Sequence, residues 1–262
     1  MQKSGPTKNL LYTSPDELTH SLKEIDEFIK AIDNAQDARA VYNALKYEID
    51  QLGYDKFSYQ VIEAPTGKPK KFYLSTYPAE WVKRYAEQKY VSDDIRGRHA
   101  ARTLRPFQWH EAGRLTDLTP AQQKPILEGA EIGIREGAIV PIHGPGPIRA
   151  LLAVTSDLPP EQFLKHFEHT RHVLHLIAAY THERLVQLGF HDALPRSLKL
   201  SPREIEVLTW AARGETVEST ACKLALSAET VKTHIANACA KLGTSNKTHA
   251  TATALLYGLI IP

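Results

Sequence analysis

The chain has 262 residues, of which 42% are hydrophobic and 24% are charged, so it is long enough for two globular domains and does not have a disordered composition. Its net charge of +2 is uneven: residues 196–262 carry +3 and the rest carries −1, which suits a nucleic-acid partner for a small C-terminal domain. Because no apolar run reaches about 18 residues and the N-terminus lacks an apolar signal-peptide core, we expect a cytoplasmic protein without membrane contact.

The first 75 residues predict two helices followed by two strands. Residues 14–17 (Ser-Pro-Asp-Glu) offer a capping hydroxyl and a proline at the first helical position, and apolar residues then recur at helical spacing. Residues 41–52 repeat that spacing and predict the second helix. Residues 57–61 alternate like a strand, and after a turn at 65–67 we expect residues 72–74 to return as its partner.

The middle of the chain predicts further helices and short strands. Helices are expected over 78–88, over 92–104, from a capping box at 119–122 with Pro125 inside the helix, and over 160–188. Strands are expected at 107–109, 138–142 and 148–155, the last two joined by a turn at 144–147. Five strands, mostly linked as hairpins, predict an antiparallel five-stranded sheet with helices on both faces, an α-β-α sandwich of the α+β class.

A break in this pattern predicts the domain boundary. Residues 189–199 contain glycine and proline and follow the long helix, and every segment beyond them has helical spacing. We therefore expect a first domain over 1–188, a linker over 189–199 and a small all-α domain over 200–262.

The C-terminal domain has the pattern of a helix-turn-helix. Residues 200–204 cap a helix that ends at Gly214, a second helix follows over 216–224, and Ser227 caps a third. The third helix has a buried stripe formed by Val231, Ile235, Ala238 and Leu242 and an opposite face formed by Lys232, Thr233, Ala236 and Asn237. A short helix, a tight turn and a helix with a small polar outer face are typical of DNA-binding motifs.

These residues also resemble a known family. The run L-S-P-R-E-I-E-V-L-T-W-A-A-R-G, followed by T-V-K-T-H-I-A-N-A-C-A-K-L-G, resembles the LuxR-type helix-turn-helix, and it departs from that family at 219–221, where Ser-Thr-Ala replaces Glu-Ile-Ala. The recurrent positions of the family are occupied here by Glu204, Leu208, Gly214, Val231, Lys232, His234, Lys241 and Leu242. The resemblance implies a homodimer that binds double-stranded DNA at a dyad operator.

Roles on DNA follow from the expected geometry of such a motif. Lys232, Thr233 and Asn237 are the candidates to face bases, because they lie on the outer face of the third helix. Candidates for phosphate contacts are Lys223, Lys241 and Lys247. Glu204 is expected to tie helices together and to touch no base. A purely structural helical bundle is the alternative for this segment.

A second stretch resembles the autoinducer-binding domain of LuxR-type quorum-sensing proteins. It comprises Y-P-A-E-W-V-K-R-Y-A-E-Q-K-Y-V-S-D-D-I, then F-Q-W, then G-I-R-E-G-A-I-V-P-I. The positions that match the motif of the family, with its internal spacing, are Tyr77, Trp81, Tyr85, Asp94, Trp109 and Gly137. The resemblance spans residues 70–157 and implies that the domain binds an acyl- or aryl-homoserine lactone, with no cofactor and no metal.

The resemblance also implies a role for each side chain. The Trp81 indole N–H would donate to the lactone carbonyl, Asp94 would accept from the amide N–H, and the Tyr77 hydroxyl would meet the amide carbonyl. Trp109 would pack on the lactone ring and Tyr85 would line the acyl cavity. Singly, each side chain has a plainer role in a core or at a helix cap; the matched spacing favours a ligand site.

Two departures from the family keep the ligand class open. Ile95 stands where the family has a proline after its aspartate, and Ala153 stands on the last strand where many members have a hydroxyl, with Thr155 two residues further on. A non-lactone signal, or no ligand at all, is therefore an alternative. Ala153 is included among the candidate ligand contacts.

Other functions have less support in the sequence. A phosphorylated receiver would need parallel strands and an acidic cluster, and no catalytic motif is present, so we expect no enzyme; a lactone hydrolase fused to a DNA-binding module is the alternative from another class. The two cysteines form no CxxC pair, so neither zinc nor a disulfide is expected. Histidines recur on the long helix at 166, 169, 172 and 175 without a further metal-ligand motif, which favours plain surface residues.

Overall fold

The computed structural model describes residues 15–63, 73–144, 148–190 and 200–262. They form two compact units, one built mainly from the chain up to residue 190 and one from residues 200–262. The predicted cap at Ser14, the turns at 65–67 and 145–147, Phe72 and most of the predicted linker lie outside the described residues. The exact domain limits given above stay a prediction.

The N-terminal unit contains one five-stranded antiparallel sheet. Its strands lie in the order β2-β1-β5-β4-β3, and each neighbouring pair is antiparallel. The strands are β1 (Lys56–Glu63), β2 (Tyr73–Ser75), β3 (Phe107–Gln108), β4 (Glu136–His143) and β5 (Arg149–Ser156). Among the described residues of this unit, six α-helices flank the sheet: α1 (Pro15–Asn34), α2 (Ala38–Gln51), α3 (Ala79–Glu87), α4 (Ile95–Ala100), α5 (Pro120–Glu131) and α6 (Pro160–Gln187). The predicted α-β-α sandwich is confirmed.

Alternation along the strands divides the unit into two apolar layers. On β5, Ala150, Leu152 and Val154 belong to the main core with α1, α2 and α6, whereas Leu151 and Ala153 face the opposite layer. The other strands alternate in the same way, since successive side chains point to opposite faces of a sheet. The second layer, toward α3, α4 and α5, is the one that contains the cavity described below.

Two boundaries differ from the predictions, and both lie beside the cavity. A helix predicted over 92–104 is instead a 3-10 turn at Tyr90–Ser92 followed by the short helix α4. Asp94 accounts for the difference, because its extended backbone and capping side chain start a new helix. Trp109, predicted to end a strand, begins the 3-10 turn Trp109–Ala112.

The edge of the sheet at β4 is only partly paired. β3 pairs with Ala138 and Ile139 of β4. On that same side of β4, the described part of the chain places no strand beside residues 140–143. Nε2 of His143 lies 2.9 Å from the carbonyl oxygen of Ala100 at the end of α4. Helix α4 is thus joined to this edge, which fixes one wall of the cavity.

The C-terminal unit consists of four helices. They are α7 (Pro202–Ala212), α8 (Val217–Leu224), α9 (Ala228–Leu242) and α10 (Lys247–Leu256). Leu208, Ala238 and Ala250 lie in one small core, and Val207 and Val231 lie in a second. Helices α8 and α9 are joined by a tight turn, so the predicted helix-turn-helix is present.

An ion pair joins the first and third helices of this unit. Nζ of Lys241 donates to both carboxylate oxygens of Glu204, at 2.9 and 2.7 Å, and the backbone N–H of Ser201 donates to one of them at 2.7 Å. Burial raises the pKa of Glu204, but the hydrogen bonds from Lys241 and Ser201 and the charge of Lys241 together lower it by more. The pKa therefore lies below its ordinary value. The carboxylate therefore stays charged, and the expected tie between helices is observed.

We expect Glu204→Ala to loosen α7 and α9 strongly. The change removes the charge-assisted pair between buried Glu204 and exposed Lys241, together with a helix cap. We expect a cost of about 1–3 kcal/mol, or about 5- to 150-fold faster amide exchange by local opening. Hydrogen exchange of the full chain measures this. Glu206→Ala is the matched control, because Glu206 forms an exposed pair with Arg203 on the same helix and is worth about 0–1 kcal/mol. Equal rates of amide exchange in the two variants would contradict a stabilising ion pair at Glu204.

The pair also predicts how the stability of this unit depends on pH. Because the folded-state pKa of Glu204 lies below the ordinary value of 4.5, its contribution is present above that pH and is lost as pH falls further.

Candidate ligand pocket and nucleic-acid interface

A cavity of about 470 Å³ lies between the second face of the sheet and helices α3, α4 and α5. Its floor is formed by side chains of the strands, including Ile139, Leu151 and Ala153. Its roof includes Pro125 and Gly129 of α5. The size and the mainly apolar lining are typical of small-molecule sites.

Helix α3 presents an aromatic pair to the cavity. Trp81 and Tyr85 are four residues apart and therefore lie on the same face of the helix, with ring centroids 5.9 Å apart in an edge-to-face arrangement. Tyr90 packs against both rings, at 6.1 and 5.7 Å. Trp81 is buried. This cluster holds the two side chains in place on one wall.

Tyr77 precedes this helix and also lines the cavity. Its hydroxyl is buried and has no hydrogen-bond partner among the described residues. Burial raises the pKa of Tyr77, so the phenol is neutral and can donate or accept. A buried hydroxyl without a partner costs free energy, which a polar group in the cavity could recover.

Asp94 is held by a dense set of hydrogen bonds. Its Oδ1 accepts from the backbone N–H of Arg96 at 2.9 Å and from Nε of Arg96 at 2.8 Å. Its Oδ2 accepts from the second guanidinium nitrogen of Arg96 at 2.6 Å and from the Tyr85 hydroxyl at 2.9 Å. The carboxylate thus caps α4 and forms a bidentate pair with a residue that the sequence analysis did not identify.

Both members of this ion pair keep their charges. Burial raises the pKa of Asp94, but the Arg96 guanidinium and the hydrogen bonds outweigh it, and the pKa lies below its ordinary value. Burial lowers the pKa of Arg96, but the charge of Asp94 and its hydrogen bonds together outweigh burial, and the pKa lies above its ordinary value. Ile95 occupies the first position of α4, where a proline would also fit, so the family departure at this position leaves the capping carboxylate in place.

Trp109 packs against the sheet at a position that only glycine allows. A Cβ on Gly137 would lie 2.4 Å from Cζ2 of Trp109, closer than atoms can approach. The Arg96 guanidinium lies over the same ring system, with its central carbon 4.5 Å from the ring centroid. The indole Nε1 is buried and has no partner among the described residues.

The six candidate ligand residues meet in this one cavity, which their positions in the sequence alone could not establish. All of them line it: Tyr77, Trp81, Tyr85, Asp94, Trp109 and Ala153. The lining also includes polar residues that were not predicted, namely Arg96, Ser58, Gln60 and Lys89. Thr155 is buried, and its hydroxyl has no partner within the described chain. The motif residues carried a family signal, whereas the missed residues are ordinary polar types that only the fold brings together.

The outer face of α9 is the candidate base-contacting surface. Lys232, Thr233 and Asn237 are exposed, and Val231 and Ala238 are buried, as their spacing predicts. Nζ of Lys232 lies 3.3 Å from a carboxylate oxygen of Glu229 in a solvent-exposed pair. Such a pair is weak, so Lys232 is free to exchange Glu229 for a base or a phosphate.

The three lysines proposed for phosphate contacts differ in their surroundings. Lys223 pairs with Glu215 at 3.3 Å and lies over the ring of Trp210. Lys247 donates to the backbone carbonyl of Glu215 at 3.3 Å. Lys241 gives two hydrogen bonds to Glu204, which counts against its role on DNA. Phosphate contact stays a prediction for all three.

The remaining observations concern metals and membranes. Among the described residues, no group of three potential ligands could hold a metal ion. Of the four histidines of α6 that recur at spacing three, His166 packs on the ring of Tyr54, and His169, His172 and His175 are exposed. In the part of the chain that the structure describes, no helix combines the length and the apolar composition of a membrane span.

The fold and its cavity define a small-molecule-binding domain followed by a helix-turn-helix domain, and comparisons with known proteins agree. The sequence profile of the autoinducer binding domain matches residues 37–185. That of the bacterial regulatory proteins of the luxR family matches residues 198–254.

Curated relatives match along nearly the whole chain. The quorum sensing-dependent transcriptional regulator RpaR of Rhodopseudomonas palustris is 30% identical over 238 residues, which cover 89% of this chain and 93% of RpaR. The quorum-sensing regulator RhlR of Pseudomonas aeruginosa is 30% identical over 227 residues, which cover 86% and 91%.

Solved structures share the fold. Escherichia coli SdiA superposes with a TM-score of 0.74 at 22% identity over 92% of this chain and all of that chain. The chain belongs to the LuxR family of bacterial transcriptional regulators. Its autoinducer-binding domain takes a small-molecule signal, and its C-terminal domain binds DNA.

Proposed function

We propose that the signal is an acyl- or aryl-homoserine lactone and that it occupies the cavity between the sheet and helices α3–α5. The observation that carries this proposal is the meeting of Trp81, Tyr77 and Trp109 in one mainly apolar cavity of about 470 Å³. An apolar cavity with a few polar groups suits a molecule that joins a hydrocarbon tail to a small polar head.

We propose a specific contact for each polar group of this ligand. The Trp81 indole N–H donates to the lactone carbonyl, and the otherwise unpaired Tyr77 hydroxyl donates to the acyl carbonyl. Trp109 packs on the lactone ring, and Tyr85 and Ala153 border the acyl group. Asp94 accepts from the amide N–H, in place of one of the four donors that now contact its carboxylate.

On DNA, we propose a homodimer that binds a dyad operator. Lys232, Thr233 and Asn237 of each copy would face bases, because they form the exposed surface of α9. Two such helices in successive major grooves require half-sites about 10 bp apart. Such a regulator acts where the bacterial DNA lies, in the cytoplasm.

A thermal melt of the full chain with a panel of ligands tests the proposal. The panel contains butanoyl, hexanoyl, octanoyl, 3-oxo-octanoyl, benzoyl and cinnamoyl homoserine lactones, with homoserine as the negative control. We expect at least one lactone to stabilise the protein by about 2.7 kcal/mol at a hundredfold excess over its dissociation constant.

Two outcomes would contradict the proposal. Melts that none of the lactones shifts would favour a regulator with an unrelated signal. If mass spectrometry shows that the lactone is hydrolysed during incubation with the protein, the hydrolase alternative is favoured. Octanoylglycerol belongs in the same melts, because a structure of SdiA holds octanoyl-rac-glycerol.

A further inference from the structure

Strand β1 places a serine in the floor of the cavity. Phe57 and Tyr59 belong to the main core, so Ser58 between them points to the opposite face of the sheet, where it lines the cavity. Ser58 is only 7% exposed. The floor residues beside it, Leu151 and Ala153, are apolar. A buried hydroxyl is thus set into an apolar surface.

The hydroxyl of Ser58 has no hydrogen-bond partner in the described part of the chain. On one side, Ser58 pairs with Ala153 of β5, whose side chain is a methyl group. On the other side, it pairs with Ser75 of β2. The Ser75 hydroxyl is already used, because it donates to the carbonyl oxygen of Phe57 at 3.2 Å and accepts from the backbone N–H of Tyr77 at 3.0 Å. Since a buried hydroxyl without a hydrogen bond is unfavourable, a ligand that fills the cavity should supply one.

The neighbours of Ser58 indicate which part of the ligand reaches it. The contacts proposed for the lactone carbonyl, the amide N–H and the acyl carbonyl use Trp81, Asp94 and Tyr77, and they leave Ser58 unused. Strand β1 lies between β2, which leads into Tyr77, and β5, which carries Ala153. Tyr77 is proposed to bind the acyl carbonyl, and Ala153 is proposed to border the acyl group. Ser58 therefore faces the acyl group close to its carbonyl.

We propose that Ser58 is a specificity-determining residue, which forms a hydrogen bond with an oxygen on the acyl group of the signal. The signal class is an acyl-homoserine lactone with an oxo or hydroxyl group on the third acyl carbon, counted from the carbonyl carbon. A serine hydroxyl suits both groups, because it can donate to an oxo oxygen and accept from a hydroxyl. This inference rests on the proposed lactone-binding function of the same cavity. A plain hydrocarbon tail would leave the Ser58 hydroxyl buried without a partner, so the cavity also discriminates against it.

Three ligands with the same chain length test the inference. They are octanoyl, 3-oxo-octanoyl and 3-hydroxyoctanoyl homoserine lactone, and their dissociation constants come from calorimetry on the full chain. We expect the wild-type protein to bind at least one of the two oxygenated lactones about tenfold more tightly than octanoyl homoserine lactone, because only an oxygenated chain pairs with the Ser58 hydroxyl.

Ser58→Ala should remove this preference. The variant lacks the hydroxyl, so the plain and oxygenated lactones should bind within about threefold of each other, and the oxygenated ones more weakly than to the wild-type protein. Ser156→Ala is the matched control, because Ser156 is also a buried serine of the sheet, but its hydroxyl accepts from the backbone N–H of Leu158 and it lies outside the lining of the cavity. The control variant should keep the wild-type preference.

The outcomes separate this inference from the proposed function. If the wild-type protein binds the plain lactone as tightly as both oxygenated ones, or if Ser58→Ala keeps the preference, the role of Ser58 is overturned and lactone binding stays intact. The same holds if Ser156→Ala also loses the preference, or if only the benzoyl or cinnamoyl lactone of the panel binds. If no lactone binds the wild-type protein, both the inference and the proposed function fail.

Discussion

Replacing Trp81 by phenylalanine is expected to shift the ligand response of the protein about 5- to 150-fold toward higher concentration. Phenylalanine keeps an aromatic ring against Tyr85 and Tyr90 but removes the indole N–H. The lactone carbonyl would then be buried without its donor, at a cost of about 1–3 kcal/mol. Calorimetric titration with the best lactone of the panel measures the change.

The same substitution elsewhere provides the control. Trp210→Phe alters the C-terminal unit, where Arg213 and Lys223 each contact the Trp210 ring, and it should leave ligand affinity unchanged. A core-packing role for Trp81 predicts a different result: the free energy of unfolding would fall, and affinity would change only as far as folding does. An unshifted titration in a well-folded Trp81→Phe protein would remove Trp81 from the site.

Gly137→Ala is expected to disrupt the ligand domain through a single added methyl group. The new Cβ would lie 2.4 Å from Cζ2 of Trp109, so the indole must leave its place on the sheet or the strands must separate. Overpacking of this kind costs about 1–3 kcal/mol of stability. Because Arg96 stacks on the same indole, we also expect at least a tenfold loss of lactone affinity.

A double variant and a control show whether the clash is the cause. Trp109→Phe combined with Gly137→Ala should recover much of the lost stability, since the smaller ring vacates the space, and the two effects should be strongly non-additive. Gly129→Ala serves as the control for stability, because its Cβ would lie at an ordinary 3.5 Å from Cζ2 of Trp81 within a helix. Additive effects of the two substitutions would contradict a direct contact.

Periodicity explains why most of the fold was predictable. Apolar residues at helical or alternating spacing predicted the sheet and the long helices. The helix predicted over 78–88 contains Trp81 and Tyr85, whose rings pack on one another. The helix predicted over 92–104 was wrong in its extent, because helical spacing in the sequence does not show where a capping side chain ends one helix and begins the next. Asp94 does this at α4.

Features that depend on contacts between distant segments were not predictable. Gly137 was identified by its place in a motif, but the indole packed on it comes from 28 residues earlier in the chain, and only the fold shows the contact. Arg96 directly follows the quoted motif at Ile95, and nothing in its sequence position indicates that both its charge and its stem are buried at a cavity. A charged residue is buried by side chains from other segments, which only the folded structure brings around it.

The short β3 strand affects how the protein behaves at high concentration. An edge strand with free N–H groups can pair with another chain and so begin aggregation. Pro141 lies on β4 beyond the part that β3 covers, and a proline in a sheet is tolerated where its nitrogen faces away from the paired strand. The exposed edge of β4 therefore lacks a backbone N–H donor at Pro141, just beyond β3. Further along β4, His143 contacts the end of α4. Both features hinder a strand of a second copy of the chain from pairing with the edge of β4.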